Sequence, residues 1–176
     1  MAAALAALVT ILGLRAEARA LPALGARMPD TLLPDANGKP LNTRALRGRH
    51  ALLFYEDEGS SAQNAPLKDT LEELGRDARY RAAIAVTAVA DVTAYSGWPL
   101  RGVAEDAIRA RAREAGIAIY CDWDGSFRRA YQLHPGLSNV LLLAPDGRVL
   151  FAVAGPMRPE QRSRLLAMLA RQVGDP

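Results

Sequence analysis

Residues 51–66 read ALLFYEDEGSSAQNAP, a short apolar run followed by a polar loop and the start of a helical pattern. The run over residues 51–55 carries no charge, as expected for a strand that is buried on both faces of a sheet. Beyond the loop, a helix is expected at residues 65–74, where Leu67, Leu71 and Leu74 recur at helical spacing and Gly75 ends the pattern. The stretch therefore predicts a central strand, a connecting loop and a helix, which together begin a βαβ unit.

The rest of the chain continues this alternation of strands and helices. We expect further strands at residues 81–90, 117–120, 139–144 and 148–154, and helices at residues 101–115, 126–131 and 159–172. Ahead of them, the turn sequence DANGK at residues 35–39 predicts a β-hairpin, and Asn42 and Thr43 are suited to cap a short helical turn. The predicted fold class is α/β, with a central mixed β-sheet flanked by helices and an N-terminal β-hairpin.

The composition is that of an ordinary globular domain. The chain has 176 residues, of which 50% are hydrophobic, and this is enough to bury a core. Its 22 basic and 19 acidic residues give a net charge of +3 and are interspersed. Because no dense run of Lys or Arg is present, we do not expect nucleic acid as a partner.

The first residues have the character of an export signal. The stretch from Met1 to Leu14 is apolar and uncharged, but it is shorter than the roughly 20 residues that a membrane-spanning helix needs. Small residues follow, and cleavage after Ala18 or Ala20 fits the usual pattern, although no basic residue precedes the apolar run. We predict a signal peptide over residues 1–20, no stable membrane span and a periplasmic or secreted location; the alternative is a buried N-terminal helix.

Two stretches of the chain have a familiar pattern: MPDTLLPDANGKPLNTRALRGRHALLFY at residues 28–55 and SNVLLLAPDGRVLFAVAG at residues 138–155. They resemble the thioredoxin-like superfamily, in particular its redoxin and peroxiredoxin branch. Three further stretches, at residues 95–116, 120–149 and 155–169, are similar to the small periplasmic YtfJ-like family, which has no established activity. The resemblance covers nearly the whole domain at residues 21–176. It implies a thioredoxin-like fold and agrees with the predicted export signal.

The resemblance also implies where a redox site would lie. Enzymes of this fold carry a Cys-x-x-Cys pair at the N-terminus of the helix that follows the central strand, where the thiol pKa is lowered. That pair falls on Gly59 and Ala62, with Ser60 and Ser61 between them, so the redox loop is degenerate. Ser138 occupies the slot of the family's cis-proline. For the two serines between the pair positions, we expect helix capping, since no histidine is near to activate a hydroxyl.

Carboxylates are the first candidate binding groups. Glu56, Asp57 and Glu58 follow the central strand at the sheet edge where ligands often bind in α/β proteins. Asp91 follows the next strand and is expected at the same edge. The favoured interpretation is a solvated acidic loop; a Mg²⁺ or Ca²⁺ site made by these four carboxylates is the alternative. We predict neither a resident metal nor a cofactor.

Two aromatic residues and one thiol complete the candidates. Tyr95 and Trp98 lie on the loop after the second predicted strand, where they either pack onto the helix near Arg101 or form an exposed binding pair; packing is favoured. Cys121 is the sole cysteine, so no internal disulfide is possible, and we favour an inert core residue.

These observations predict a binding function. We expect an exported, non-catalytic binding or accessory protein that contacts an unknown protein or peptide through the loop after Tyr55 and the loop that carries Tyr95 and Trp98. The alternative is a divergent redoxin-type thiol oxidoreductase or antioxidant protein that uses Cys121 alone.

Overall fold

The computed structural model describes residues 20–174, so the predicted signal peptide lies almost entirely outside the described residues. The strands are β1 (Leu32–Pro34), β2 (Pro40–Asn42), β3 (His50–Glu56), β4 (Ile84–Asp91), β5 (Ile119–Asp122), β6 (Asn139–Leu143) and β7 (Val149–Ala154). The helices are α1 (Ala65–Leu74), α2 (Ala78–Ala83), α3 (Leu100–Ala115), α4 (Ser126–Ala130) and α5 (Pro159–Gln172). Short 3-10 turns cover Thr43–Leu46 and Thr93–Tyr95. Within residues 20–174 no helix combines the length and the apolar content required to cross a lipid bilayer.

A five-stranded mixed sheet forms the centre of the domain. Its strand order is β5-β4-β3-β6-β7. The pairs β3–β4 and β4–β5 are parallel, whereas β6 is antiparallel to both β3 and β7. The hairpin β1–β2 forms a separate two-stranded sheet. This arrangement confirms the predicted α/β class, the mixed sheet and the N-terminal hairpin.

The central strand β3 is buried on both faces because each face carries its own core. Leu52 and Phe54 pack on one face with side chains of α1, α2 and α5. Leu53 and Tyr55 pack on the other face, where Phe127 of α4 stacks on the ring of Tyr55. Since side chains alternate along a strand, the uncharged run predicted from the sequence is what a two-sided core requires.

The segment at residues 25–36, here called the N-terminal strap, reaches both outer edges of the sheet. At one edge, the Gly25 amide donates to the Val149 carbonyl over 2.8 Å. At the other edge, Asp35 forms an antiparallel bridge with Tyr120. The strap thus covers part of each edge strand, and covered edges are less prone to pair with other chains.

The strand predicted at residues 81–90 is partly wrong, because its beginning is the helix α2. The Asp77 side chain accepts a hydrogen bond from the Arg79 amide and caps this helix at its N-terminus. Tyr80 is buried from the helix against the core, and the strand begins only at Ile84. Arginine and alanine favour helix, so the cap at Asp77 is enough to start a helix here. Apolar content alone placed the start of the strand too early in the chain.

Candidate functional site

A cleft opens at the edge of the sheet where the parallel strands end. The strands β3, β4 and β5 end at Glu56, Asp91 and Asp122, and their register brings these ends together. The cleft has a volume of about 560 Å³ and is lined by Asp57, Glu58, Gly59, Asp91, Thr93, Ala94, Tyr95, Arg128 and Pro135. Ligands of open α/β sheets commonly bind at this edge, and the volume lies in the usual range for ligand sites.

An ion pair forms the base of the cleft. Arg128 Nη1 lies 2.9 Å from Asp91 Oδ2, and the Asp91 side chain is only 6% exposed. The Thr93 hydroxyl donates to Asp91 Oδ1 over 2.7 Å. Burial by itself raises the pKa of Asp91, but the hydrogen bonds from the Thr93 hydroxyl and amide and the Arg128 guanidinium outweigh it, so the pKa is lowered. Asp91 therefore stays ionised at neutral pH.

A second buried carboxylate holds α4, and with it Arg128, in place. Asp122 accepts hydrogen bonds from the Phe127 and Arg128 amides and from the Tyr55 hydroxyl, the last over 3.2 Å. Burial raises the pKa of Asp122, although its amide donors lower it in part. These two amides belong to the first turn of α4, so Asp122 fixes the turn that carries Arg128 toward the cleft.

The rim of the cleft comes from the loop after β3. The Tyr95 hydroxyl donates to Glu58 Oε2 over 2.9 Å, which joins this loop to the 3-10 turn after β4. Asp57 and Ser60 exchange hydrogen bonds, from the Ser60 amide to Asp57 Oδ1 and from the Asp57 amide to Ser60 Oγ. Within residues 20–174, neither Asp57 nor Glu58 is ion-paired with a cation.

The expected capping roles of Ser60 and Ser61 are wrong for α1. That helix begins at Ala65, and Asn64 occupies its N-cap position. Ser60 is fully buried in the preceding turns, where it pairs with Asp57 as described. The Ser61 hydroxyl instead donates to the Glu58 carbonyl over 3.0 Å. Both hydroxyls therefore stabilise the loop itself.

A polar network lies beside residues 59–62, the positions to which the resemblance assigns a redox pair. The hydroxyl of Ser138, which is fully buried, donates to Glu56 Oε1 over 2.6 Å and accepts from Asn64 Nδ2 over 2.8 Å. Lys68 Nζ lies 2.6 Å from Glu56 Oε2. Glu56 is thus not part of a solvated loop, because its side chain is only 13% exposed and holds two partners.

The four carboxylates of the alternative metal site do not converge. Glu56 binds Lys68 and lies outside the cleft lining, whereas Asp91 binds Arg128. Across residues 20–174, no group of three or more His, Cys, Asp or Glu side chains is arranged to hold a metal ion.

Trp98 does not pack onto α3, so the favoured sequence interpretation is wrong. Its side chain is 94% exposed. The guanidinium of Arg101, near the start of α3, lies over the ring of Trp123, 4.4 Å from its centroid. It is therefore Trp123, and not Trp98, that packs on Arg101. Tyr95 lines the cleft and Trp98 does not, so the predicted aromatic pair is divided between two surfaces.

Cys121 lies in a small apolar cluster with Ala36 and Val92 and is completely buried. Burial, together with the carboxylates of Asp35 and Glu105, raises the pKa of the Cys121 thiol to about 11. A reactive thiol needs exposure and a lowered pKa, and Cys121 has neither property.

Five residues named from the sequence, Asp57, Glu58, Gly59, Asp91 and Tyr95, line the cleft. Thr93, Ala94, Arg128 and Pro135 also line the cleft and were not among the predicted site residues. For Arg128 a signal was present, because a carboxylate at the end of a buried strand requires a cation nearby.

No family model matches the sequence, and no curated protein is similar to it in sequence. Solved structures do match. A protein from Chlorobium tepidum assigned as the thiol:disulfide interchange protein DsbE has a TM-score of 0.64 at 21% identity, covering 86% of this chain and 99% of its own. A protein from Bacteroides thetaiotaomicron assigned as a protein disulfide isomerase has a TM-score of 0.65 at 16% identity, with coverages of 86% and 91%. The exposed lipoprotein thioredoxin of Streptococcus pneumoniae has a TM-score of 0.61 at 17% identity, with coverages of 81% and 99%. The chain therefore has a thioredoxin-like fold.

Proposed function

We propose that this chain is a non-catalytic, polypeptide-binding member of the thioredoxin-like fold and that its binding site is the cleft at the carboxyl ends of the parallel strands. The observation that carries the proposal is the state of its only thiol. Cys121 is completely buried with a pKa raised to about 11, and the positions of the redox pair hold Gly59 and Ala62. Thiol–disulfide exchange requires an accessible thiolate, so the same burial argues against a redoxin that uses Cys121 alone.

A polypeptide ligand is supported by the neighbours of the fold and by the shape of the site. The structural neighbours include proteins named for disulfide interchange and for isomerisation of protein disulfides, and such reactions have polypeptides as substrates. The cleft is open, of ligand size, and combines an ionised pair with the phenol of Tyr95. Loss of the thiols removes the reaction without removing such a surface.

We also propose export, with residues 1–20 as the signal peptide. The apolar segment and the small residues around Ala18 and Ala20 support it, as does the resemblance to periplasmic YtfJ-like proteins. One structural neighbour is described as an exposed lipoprotein. An accessory protein that binds polypeptides outside the cytoplasm accounts for all three observations.

The test is binding of an unfolded polypeptide whose own cysteines are blocked. Carbamidomethylated lysozyme carrying a fluorescein label serves as the probe in fluorescence anisotropy. Ala94 lines the cleft and is exposed, so Ala94→Trp should fill the cleft without disturbing the core and should weaken binding about tenfold or more. Ala167 on α5 is also exposed and lies outside the cleft, and Ala167→Trp is the matched control.

Thiol chemistry is tested in parallel. Wild-type protein and Cys121→Ser should bind the probe equally, and neither should reduce insulin disulfides. Equal binding by Ala94→Trp and Ala167→Trp, or no binding by the wild type, would reject the cleft as the site. Insulin reduction that is lost in Cys121→Ser would reject the non-catalytic role.

A further inference from the structure

Three large apolar side chains stand exposed at the beginning of α3. Trp98 is 94% exposed, Leu100 51% and Val103 67%; we call them the Trp98 surface. Leu100 and Val103 are three residues apart in the helix and therefore neighbours on its outer side. Scattered exposed apolar residues are normal, but three within six positions concentrate apolar surface at one end of α3, and concentrated apolar surface marks interaction sites.

The opposite side of α3 is fixed, so the exposure is not the result of a loosely attached helix. Ala104 is buried, and Ile108 packs against the cluster that contains Cys121. Arg109 donates to the Ala36 carbonyl of the N-terminal strap over 2.7 Å. The helix thus presents the Trp98 surface outward from a rigid support, as interaction anchors require.

The Trp98 surface lies close to the cleft. Tyr95 lines the cleft and precedes Trp98 by three residues, a separation that an extended chain spans in at most about 10 Å. An extended segment of four or five residues covers roughly 13–17 Å. One bound segment is therefore long enough to contact both the cleft rim and the Trp98 surface.

The charge of the cleft indicates which kind of charged side chain a bound segment carries. The lining contains the carboxylates of Asp57, Glu58 and Asp91 against the single guanidinium of Arg128. Since Arg128 is paired with Asp91, the rim carboxylates of Asp57 and Glu58 give the cleft an excess of negative charge. A basic side chain complements this rim, whereas an acidic one is repelled.

Resting on the proposed function, we propose that the Trp98 surface is the second half of the same polypeptide site. Its occupant is an extended segment of a partner that places an apolar side chain on Trp98, Leu100 and Val103 and a Lys or Arg side chain at Asp57 and Glu58. The apolar contact supplies affinity through area removed from water, and the charged contact supplies selectivity.

Three fluorescein-labelled peptides on a flexible glycine–serine background test this division of roles by anisotropy with the full domain at residues 21–176. The first carries leucines and lysines, the second replaces its lysines with glutamates, and the third replaces its leucines with serines. We expect the first to bind about tenfold more tightly than either of the others. The double variant Asp57→Asn, Glu58→Gln should abolish the preference for lysine over glutamate and keep the preference for leucine over serine.

Matched surface variants separate the apolar contact from general effects. Trp98→Ala and Val103→Ser should weaken binding of the leucine–lysine peptide about tenfold. Leu32 of β1 is exposed to the same 67% as Val103, so Leu32→Ser serves as the control and should bind normally. All these side chains are largely exposed, and we expect unchanged thermal unfolding for each variant.

The outcomes distinguish this inference from the proposed function. If Ala94→Trp blocks the unfolded probe while the three peptides bind alike and Trp98→Ala has no effect, the cleft stands and the Trp98 surface is rejected. If the wild type binds neither the probe nor any peptide, the proposed function itself fails. Attachment to phosphatidylglycerol vesicles that Trp98→Ala abolishes, without peptide binding, would assign the surface to a membrane and overturn the inference.

Discussion

The reactivity of Cys121 is the measurement that most directly separates a binding protein from a redox enzyme. The perturbation is iodoacetamide at pH 8 under native conditions. The comparison is a variant with Cys121→Ser and Ser163→Cys, which moves the thiol to an exposed position on α5. Both proteins then carry one cysteine, and only its environment differs.

The expected difference follows from titration and burial. With a pKa of about 11, roughly one Cys121 in a thousand is thiolate at pH 8, against about a quarter for an ordinary thiol. A more basic thiolate is intrinsically more nucleophilic, which recovers about tenfold of this two-hundredfold deficit and leaves a net factor of roughly ten to twenty. Complete burial adds the requirement that the protein open before the reagent reaches the sulfur.

We therefore expect Cys121 to be alkylated at least about a hundredfold more slowly than the thiol at position 163, as followed by intact-mass spectrometry. Its rate should still rise with pH above pH 9, where the exposed control levels off. A rate within about tenfold of the control, or a plateau near the pKa of a free thiol, would show an accessible thiolate and refute the reasoning.

Three further predictions concern stability and processing. Ser138→Ala should lower the free energy of unfolding in urea by about 2 kcal/mol, because Glu56 loses a buried charge-assisted donor; a change below about 0.5 kcal/mol would mean that the network contributes little. Arg128→Met should cost about 3 kcal/mol at pH 7 by leaving Asp91 buried and unpaired. Because the pKa of Asp91 is lowered, its ionised form contributes stability above about pH 4, and this cost should shrink as the pH falls through that pKa; a constant difference from pH 7 to pH 2 would contradict the pairing. Expression of the full chain in a Gram-negative host should yield a periplasmic protein without residues 1–18 or 1–20, and a cytoplasmic product that retains them, identified by N-terminal sequencing, would argue against export.

Strands, turns and helices were predicted correctly where one sequence pattern was strong. The uncharged run of β3 and the turn at residues 35–39 predicted their elements, and the bounds of α1 and α5 were correct. The helix α2 was missed because the cap at Asp77 is a local hydrogen bond that competes with the apolar pattern of the adjoining strand.

The candidate site was predictable only in part. Asp57, which follows β3, and Asp91, which ends β4, were expected at one edge because parallel strands end there together, and both line the cleft. The partner of each carboxylate depends on long-range packing, so the contacts of Glu56 with Lys68 and Ser138 had no signal in the sequence. The exposure of Trp98 was missed for the same reason, because the sequence does not show which tryptophan ring Arg101 contacts. In the folded protein that ring is Trp123.

The contacts of the N-terminal strap also limit the order in which the parts of this protein can fold. Gly25 is among the first described residues to leave the ribosome, yet its carbonyl accepts from Arg148, 123 positions later in the chain. The edge of β7 to which the strap docks does not exist until the ribosome has synthesised this part of the chain. Docking of the strap therefore has to close a loop of 123 positions, and the domain should fold slowly for its size. Until Arg148 has left the ribosome, the strap has no docking site on β7, and that edge of the sheet stays open to pairing with other chains.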